Sequence, residues 1–260
     1  MGALSVTHDE HYRAPFAPLL GPVTFVDPQR PDALIKAVNA RTAAIVAEPI
    51  QGEGGIRPMS NAFAQAINEA CRSTGALYIA DEVQTGLGRT GHPFYAAALG
   101  LTPDLISVGK ALGSGVPVGA ALVSERIAQA ISPGDHGSTY GGNLLATRAA
   151  AFFLEQLMDH GLLDHVKTVG AHFERRLRAL ALQHPAVIEV RGTGLMFGLQ
   201  LRSDATLVID EARNRGLLVN RTDEKVVRML PPLTIAAGEL DRAVDILDGV
   251  LAAVESEVPA

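Results

Sequence analysis

One charged residue, Lys110, interrupts "LISVGKALGSGVPVGAALVS", Leu105 to Ser124, a run otherwise made almost wholly of small or apolar residues. Lysine is almost never fully buried unless it is paired or reacts. Two readings follow: a lysine at a surface turn, or an amine set up for covalent chemistry with glycines leaving room for its partner. Asp81 and Glu82 close the apolar run "ALYIADE" in the same way. An amine and a carboxylate ending neighbouring strands suit pyridoxal phosphate, whose aldehyde takes a lysine as a Schiff base and whose ring nitrogen needs an acidic partner to stay protonated. A structural salt bridge between Asp81 and Lys110 fits the same spacing.

Other stretches offer weaker chemistry. "HGSTYGGN", His136 to Asn143, brings hydroxyls and glycine-flanked amides that suit a phosphate, or an ordinary surface turn. "GLGRTG", Gly86 to Gly91, has the dinucleotide spacing, but Pro93 follows closely and no clear helix opens there, so a nicotinamide site is a weak reading. "HDEH", His8 to His11, lacks the helical spacing of metal ligands and predicts a solvated loop with no metal. Cys71 falls on the apolar face of a helix and reads as buried and inert. Glu53, on the glycine-rich turn of "EPIQGEGGIRP", and Arg228, in "VVRMLPPL", are solvated charges unless both reach one crevice. There they would pair with each other or with a substrate carboxylate.

The elements needed to position these groups are legible as alternating patterns. Strands are predicted at "PVTFVDP" around Val23–Val26, at "AAIVAEP" from Ala43, at "ALYIADE" from Ala76, at "LISVG" and at "VGAALVS". A helix starts at Pro31 and Asp32. Another is capped by Ser60, carries Phe63, Ile67, Ala70 and Cys71 on one face, and closes at Gly75. Apolar strands separated by helices imply a mostly parallel sheet covered on both sides, with ligands beyond the strands' carboxyl ends. A linking helix is expected from about Leu144. After Gly161 the pattern changes: a helix through Leu162, Val166, Val169, Phe173, Leu177 and Leu180, strands at "AVIEVRG", "LMFGLQL" and "VVRML", and helices at Ala205–Arg215 and Glu239–Glu255. This predicts an α/β large domain over 1–160 and a smaller α+β domain over 161–260.

Composition narrows the class. Net charge is −6 with no basic stripe, which argues against nucleic acid. No apolar run is long enough to cross a membrane. The start, "MGALSVTHDEH", lacks the basic and apolar regions of a secretory signal, and a single cysteine rules out an internal disulfide framework, so a reducing, cytoplasmic setting is expected.

"EPIQGEGG", "DEVQTGLGRTG", "PDLISVGKALGSGVPVGA" and "HGSTYGGN", in that order, resemble the class III (ornithine-type) aminotransferases, above all their acetylornithine group, over essentially the whole chain. The resemblance implies the fold type I architecture of pyridoxal-phosphate enzymes and a homodimer with active sites at the subunit interface. It implies that Lys110 holds the cofactor, Asp81 its ring nitrogen, Val83 one ring face and Gln84 the ring hydroxyl, with Glu82 supporting. Thr139 would bind the phosphate in the partner's site, and Ser138 the substrate there. Glu53 and Arg228 look like the family's switchable pair: Glu53 shields Arg228 while the amino donor binds, then frees it for the carboxylate of 2-oxoglutarate. The implied reaction moves the terminal amine of N-acetylornithine to 2-oxoglutarate, in arginine biosynthesis. Ornithine, succinylornithine or 4-aminobutyrate are the alternative donors, and an inactive fragment the alternative state. The sequence departs from the family at Leu144, where relatives commonly have proline. "MGALSVT" resembles an interior stretch of relatives, so Met1 reads as an internal methionine. An N-terminal part is then expected to be missing, with the first strands, a phosphate-binding helix start, a stacking aromatic residue and a substrate arginine, and poor activity is expected without it.

Overall fold

In the computed structural model, which describes residues 1–257, Glu53, Asp81 and Lys110 each stand at or just beyond the end of a short strand. The main elements are α1 (Pro31–Ala37), β1 (Ala44–Ala47), β2 (Ile50–Gln51), β3 (Arg57–Pro58), α2 (Asn61–Thr74), β4 (Leu77–Asp81), β5 (Leu105–Val108) and β6 (Ala120–Val123). There follow α3 (Leu144–Met158), α4 (Leu162–Gln183), β7 (Val187–Thr193), β8 (Met196–Leu201), α5 (Thr206–Asn214), β9 (Asn220–Arg221), β10 (Val226–Met229) and α6 (Ala237–Glu257).

The first sheet runs β1-β4-β5-β6, with β1, β4 and β5 parallel and β6 antiparallel. Its register pairs Ala47 with Ala80 and Asp81 with Ser107. Glu48, Asp81 and the loop after β5 therefore leave the same edge side by side. Local chemistry fixes the supporting helix α2: Ser60 Oγ accepts the Phe63 amide at 3.1 Å, and Gly75, at φ +80°, ends the helix with its amide on Cys71 O. The face of α2 bearing Phe63, Ala64, Ile67 and Ala70 is buried together with Leu34 of α1 and Tyr78 of β4. Cys71 is half-buried at the margin of this cluster, and burial pushes its thiol upward.

Two expectations fail here. Val23–Val26 forms no strand: it lies outside every ladder, with Phe25 against the His8 ring and under the Arg13 guanidinium. An apolar alternation specifies a strand only where a neighbouring strand takes its backbone groups. The sheet is also not covered throughout. All four residues of β6 are exposed, Leu122 at 43%, because β6 is an outer strand and no described element packs over it. Near the start, "HDEH" is partly a one-turn helix, Glu10–Arg13, whose first turn is capped by Asp9.

The second sheet, β7-β8-β10-β9, is antiparallel. On α4 the stripe Val166, Val169, Phe173, Leu177 and Leu180 recurs at helical spacing, and it is buried with Phe197, Leu199 and Leu201 of β8 and with Leu240, Val244, Leu247 and Leu251 of α6. Phe173 and Phe197 meet edge to face, 5.4 Å between centroids. Phe153 and Leu157 of α3 join the same cluster. No described helix is long and apolar enough to cross a membrane.

Candidate active site

Asp81 is the last residue of β4. Its Oδ1 accepts from Ser107 Oγ and from the Val83 amide, both at 3.1 Å. Among the described residues Oδ2 accepts no hydrogen bond, and no cation pairs with the carboxylate. The structural salt bridge to Lys110 is thus not formed. Lys110 sits three residues beyond Ser107, Asp81's register partner. Its backbone is left-handed, φ +43°, and it opens a short 3-10 turn, Lys110–Gly113. That conformation turns the chain sharply away from the strand and leaves the lysine side chain exposed at the sheet edge. Partial desolvation lowers the Lys110 amine below the ordinary lysine range. Glu53, Glu48 and Asp81 pull the other way, and Arg228 adds to the lowering. Four charged side chains, from the ends of β1 and β4, the turn after β2 and strand β10, therefore act on one amine that forms no ion pair among the described residues.

Glu53 lies on the turn after β2, and Arg228 on β10. Arg228 Nη1 donates to Glu53 Oε1 at 2.7 Å, and its Nε to Asn220 Oδ1 at 3.2 Å. The arginine side chain is only 11% exposed and the glutamate 72%, so the cation is enclosed and the anion has open space beside it. Burial raises Glu53, but the Arg228 hydrogen bond and charge, with a hydrogen bond from Gln84, outweigh it and hold the carboxyl below its usual range.

Val83 stands against the backbone before the lysine: a Cβ on Gly109 would meet it at 3.7 Å. Gln84 turns toward the glutamate side, with Nε2 donating to Glu53 Oε1 at 3.1 Å. Glu82 does not belong to the cluster. Successive residues of a strand point to opposite faces, and its carboxylate is fully buried, taking the Thr85 hydroxyl at 2.5 Å and the Ala96 amide at 2.6 Å. It holds the following loop, a supporting place as the resemblance implies. Ser138 and Thr139 lie on an exposed loop. Ser138 Oγ accepts the Gly141 amide, and neither residue hydrogen-bonds to the Lys110 cluster within the chain.

Sequence reasoning passed over Glu48. It directly follows β1, next to the end of β4 where Asp81 stands, which was the available signal. Its Oε2 accepts the Gly52 amide at 3.1 Å. Burial, with Asp81 and Glu53 beside it, raises this carboxyl against the pull of that amide and of Lys110. "GLGRTG" opens no helix. It is a chain of turns in which Arg89 donates to the carbonyls of Leu195 and Pro231, at 3.1 and 2.5 Å, so it serves as packing for the second sheet. Among the described residues no group of three acidic, histidine or cysteine side chains could hold a metal ion. A cleft of about 650 Å³ between α3 and the start of α4, lined by Phe152, Phe153, His160, Leu162 and Leu233, includes none of the four charged groups around Lys110.

The residues fit pyridoxal phosphate at two of its ends. Among the described residues the Lys110 amine and Asp81 Oδ2 have no partner, which is what an aldehyde and a protonated ring nitrogen would require.

This architecture is that of the fold type I pyridoxal-phosphate transferases. It superimposes on ornithine aminotransferase from Toxoplasma gondii with a TM-score of 0.91 at 34% identity, over 98% of this chain and 62% of that one. Acetylornithine aminotransferase from Elizabethkingia anophelis gives 0.80 at 31% identity, over 89% of this chain and 59% of that one. In sequence, acetylornithine aminotransferase from Archaeoglobus fulgidus is 44% identical over 95% of this chain and 64% of its own length, and that from Aquifex aeolicus 40% over 96% and 65%. The chain thus spans about 64% of the length of these relatives. The family model "Aminotransferase class-III" matches residues 1–251. The chain belongs to the class-III aminotransferases, pyridoxal-phosphate-dependent transaminases.

Proposed function

We propose that this chain transfers the terminal amino group of N-acetylornithine to 2-oxoglutarate, in the cytoplasm and in the service of arginine synthesis. The observation that carries the reading is the Glu53–Arg228 pair, 2.7 Å apart, beside an unpaired lysine and a half-satisfied aspartate. Pyridoxal phosphate, when bound, supplies an aldehyde for the amine and a sink for the electrons left on the substrate carbon. Lys110 would hold it, and its amine would move a proton at the substrate carbon as base and then acid; the lowered amine favours the neutral form that this needs. Asp81 would keep the ring nitrogen protonated through its open oxygen, while Ser107 and the Val83 amide fix its orientation. Val83 covers one ring face.

Arg228 binds the second carboxylate of 2-oxoglutarate when Glu53 swings out. When the donor occupies the site, Glu53 returns and neutralises the arginine. Gln84 steadies Glu53 in that closed position. Ser138 and Thr139 serve the site of the other subunit in a homodimer, Thr139 for phosphate and Ser138 for substrate, in keeping with their exposed loop. The division into 1–160 and 161–260 belongs to the same proposal. Ornithine is the second reading for the donor, favoured by the 0.91 superposition on an ornithine aminotransferase.

The test is to load the purified chain with pyridoxal phosphate, reduce with borohydride and map the modified peptide. The expected label is on Lys110. Lys110→Ala is expected to lose it, and to lower transamination by on the order of 10³-fold or more. A label on another lysine overturns the assignment, and turnover measured with N-acetylornithine against ornithine decides the donor.

A further inference from the structure

The turn that carries Glu53 belongs to β2 and β3 by sequence, yet the second sheet holds its backbone. Ile56 is fully buried with Ile50 and with Met196 of β8. A side chain on Gly198 of β8 would run into Ile56 and Val226 at 3.0–3.2 Å, so this strand is shaped around the turn. Arg191 of β7 donates Nε and Nη2 to the Gly55 carbonyl at 3.2 and 2.7 Å. Arg57 pairs with Asp223 at 3.0 Å. Closest to Glu53 itself is Thr222, between β9 and β10. The residue is buried, 4% exposed, and its hydroxyl directs its one proton at the carbonyls of Glu53 and Gly52, the latter at 3.3 Å.

Thr222 therefore holds the backbone of Glu53 while Arg228, six residues on, holds its side chain. From the first sheet, the turn is gripped at its start by Glu48 through the Gly52 amide, and Gln84 reaches the Glu53 carboxylate.

We propose that Thr222 is a positioning residue that fastens the Glu53 backbone to the strand pair carrying Arg228, so that the Glu53–Arg228 pair opens by rotation of the Glu53 side chain alone and stays in register if the two sheets shift. This rests on the dual-substrate reading above. Losing the hydroxyl lets the turn drift, loosens the ion pair and leaves Arg228 more available. A dicarboxylate acceptor then binds better, and a donor that needs the arginine neutralised binds worse. A general loss of structure weakens both.

The experiment compares wild type, Thr222→Val and Thr222→Ser, each loaded with pyridoxal phosphate. For Thr222→Val the KM for N-acetylornithine should rise and that for 2-oxoglutarate fall. Together they should shift the ratio by about tenfold, or about 1.4 kcal/mol, the size of one hydrogen bond. Thr222→Ser should restore wild-type values. If the valine variant does not fold, Thr222→Ala replaces it with the same expectation. Hydrogen exchange of the 50–58 peptide, measured without cofactor, should quicken in Thr222→Val and not in Thr222→Ser. Two KM values moving together, or unchanged exchange, overturns the proposal. If the wild-type chain transaminates neither N-acetylornithine nor ornithine, the functional reading is what fails, and exchange alone then decides on Thr222.

Discussion

The two sheets divide the work unequally. The second is buried through its middle strands: α4 and α6 pack in one core with β8 and β10, and Phe197, Leu199, Val226 and Val227 are all but inaccessible, while β9 and part of β7 stay exposed. The first ends on β6, exposed at every position, and β1 on the other side leaves Val46 43% exposed. Yet the first sheet supplies Asp81 and Lys110. Burial, which dominates stability, is concentrated where the least chemistry lies. Arg228 and Thr222 are the points at which the well-packed sheet reaches across to the reactive one.

Matched truncations break or sharpen this contrast. The largest effect is expected from Phe197→Ala, which empties the centre of the second core and removes the Phe173 partner. It should cost about 3–5 kcal/mol in urea unfolding. A cost under about 1 kcal/mol would mean that this core is not where stability resides.

The next effect depends on pH. His184, at the end of α4, is buried between Asp248 and Glu255 of α6, with both ring nitrogens 2.9 Å from a carboxylate oxygen. Burial alone would lower the imidazole, but the hydrogen bonds and charges of the two carboxylates outweigh it and raise it. A folded-state value above the unfolded one stabilises fully below about pH 6.5, the ordinary histidine value. That contribution is lost as pH climbs through the raised value. Tm should therefore fall from about pH 6 to pH 8, with His184→Gln flattening the profile. An identical slope in the variant would show that the clamp does not hold α6. The smallest effect is expected for Leu122→Ala on β6, within about 0.5 kcal/mol of wild type, as for an exposed position without partners. A cost approaching that of Phe197→Ala would mean that β6 is covered in solution.

What the sequence discloses follows the range of the interactions. The Ser60 cap and the Gly75 stop of α2 span a few residues, and were readable. Strand ends bearing Asp81 and Lys110 were readable too, because a carboxyl-end acid or amine needs no distant partner to be noticed. The strand expected at Val23–Val26 misled, since apolar alternation says nothing about whether a neighbour is present. Glu82 shows another limit: adjacency to Asp81 does not reveal that its carboxylate is buried on Thr85 and Ala96. Glu53 and Arg228 stand 175 residues apart, and Thr222 lies 169 from the carbonyl it holds. Spacing could not join them. The first pair came from resemblance, and the Thr222 clamp emerged only from the fold.

The left-handed backbone at Lys110 carries a last consequence. A side chain in that region costs on the order of 1 kcal/mol or more, and glycine would adopt it freely. Glycine at position 110 would thus relax the backbone and remove the amine in one change, so under the proposed function stability and chemistry ask for different residues there.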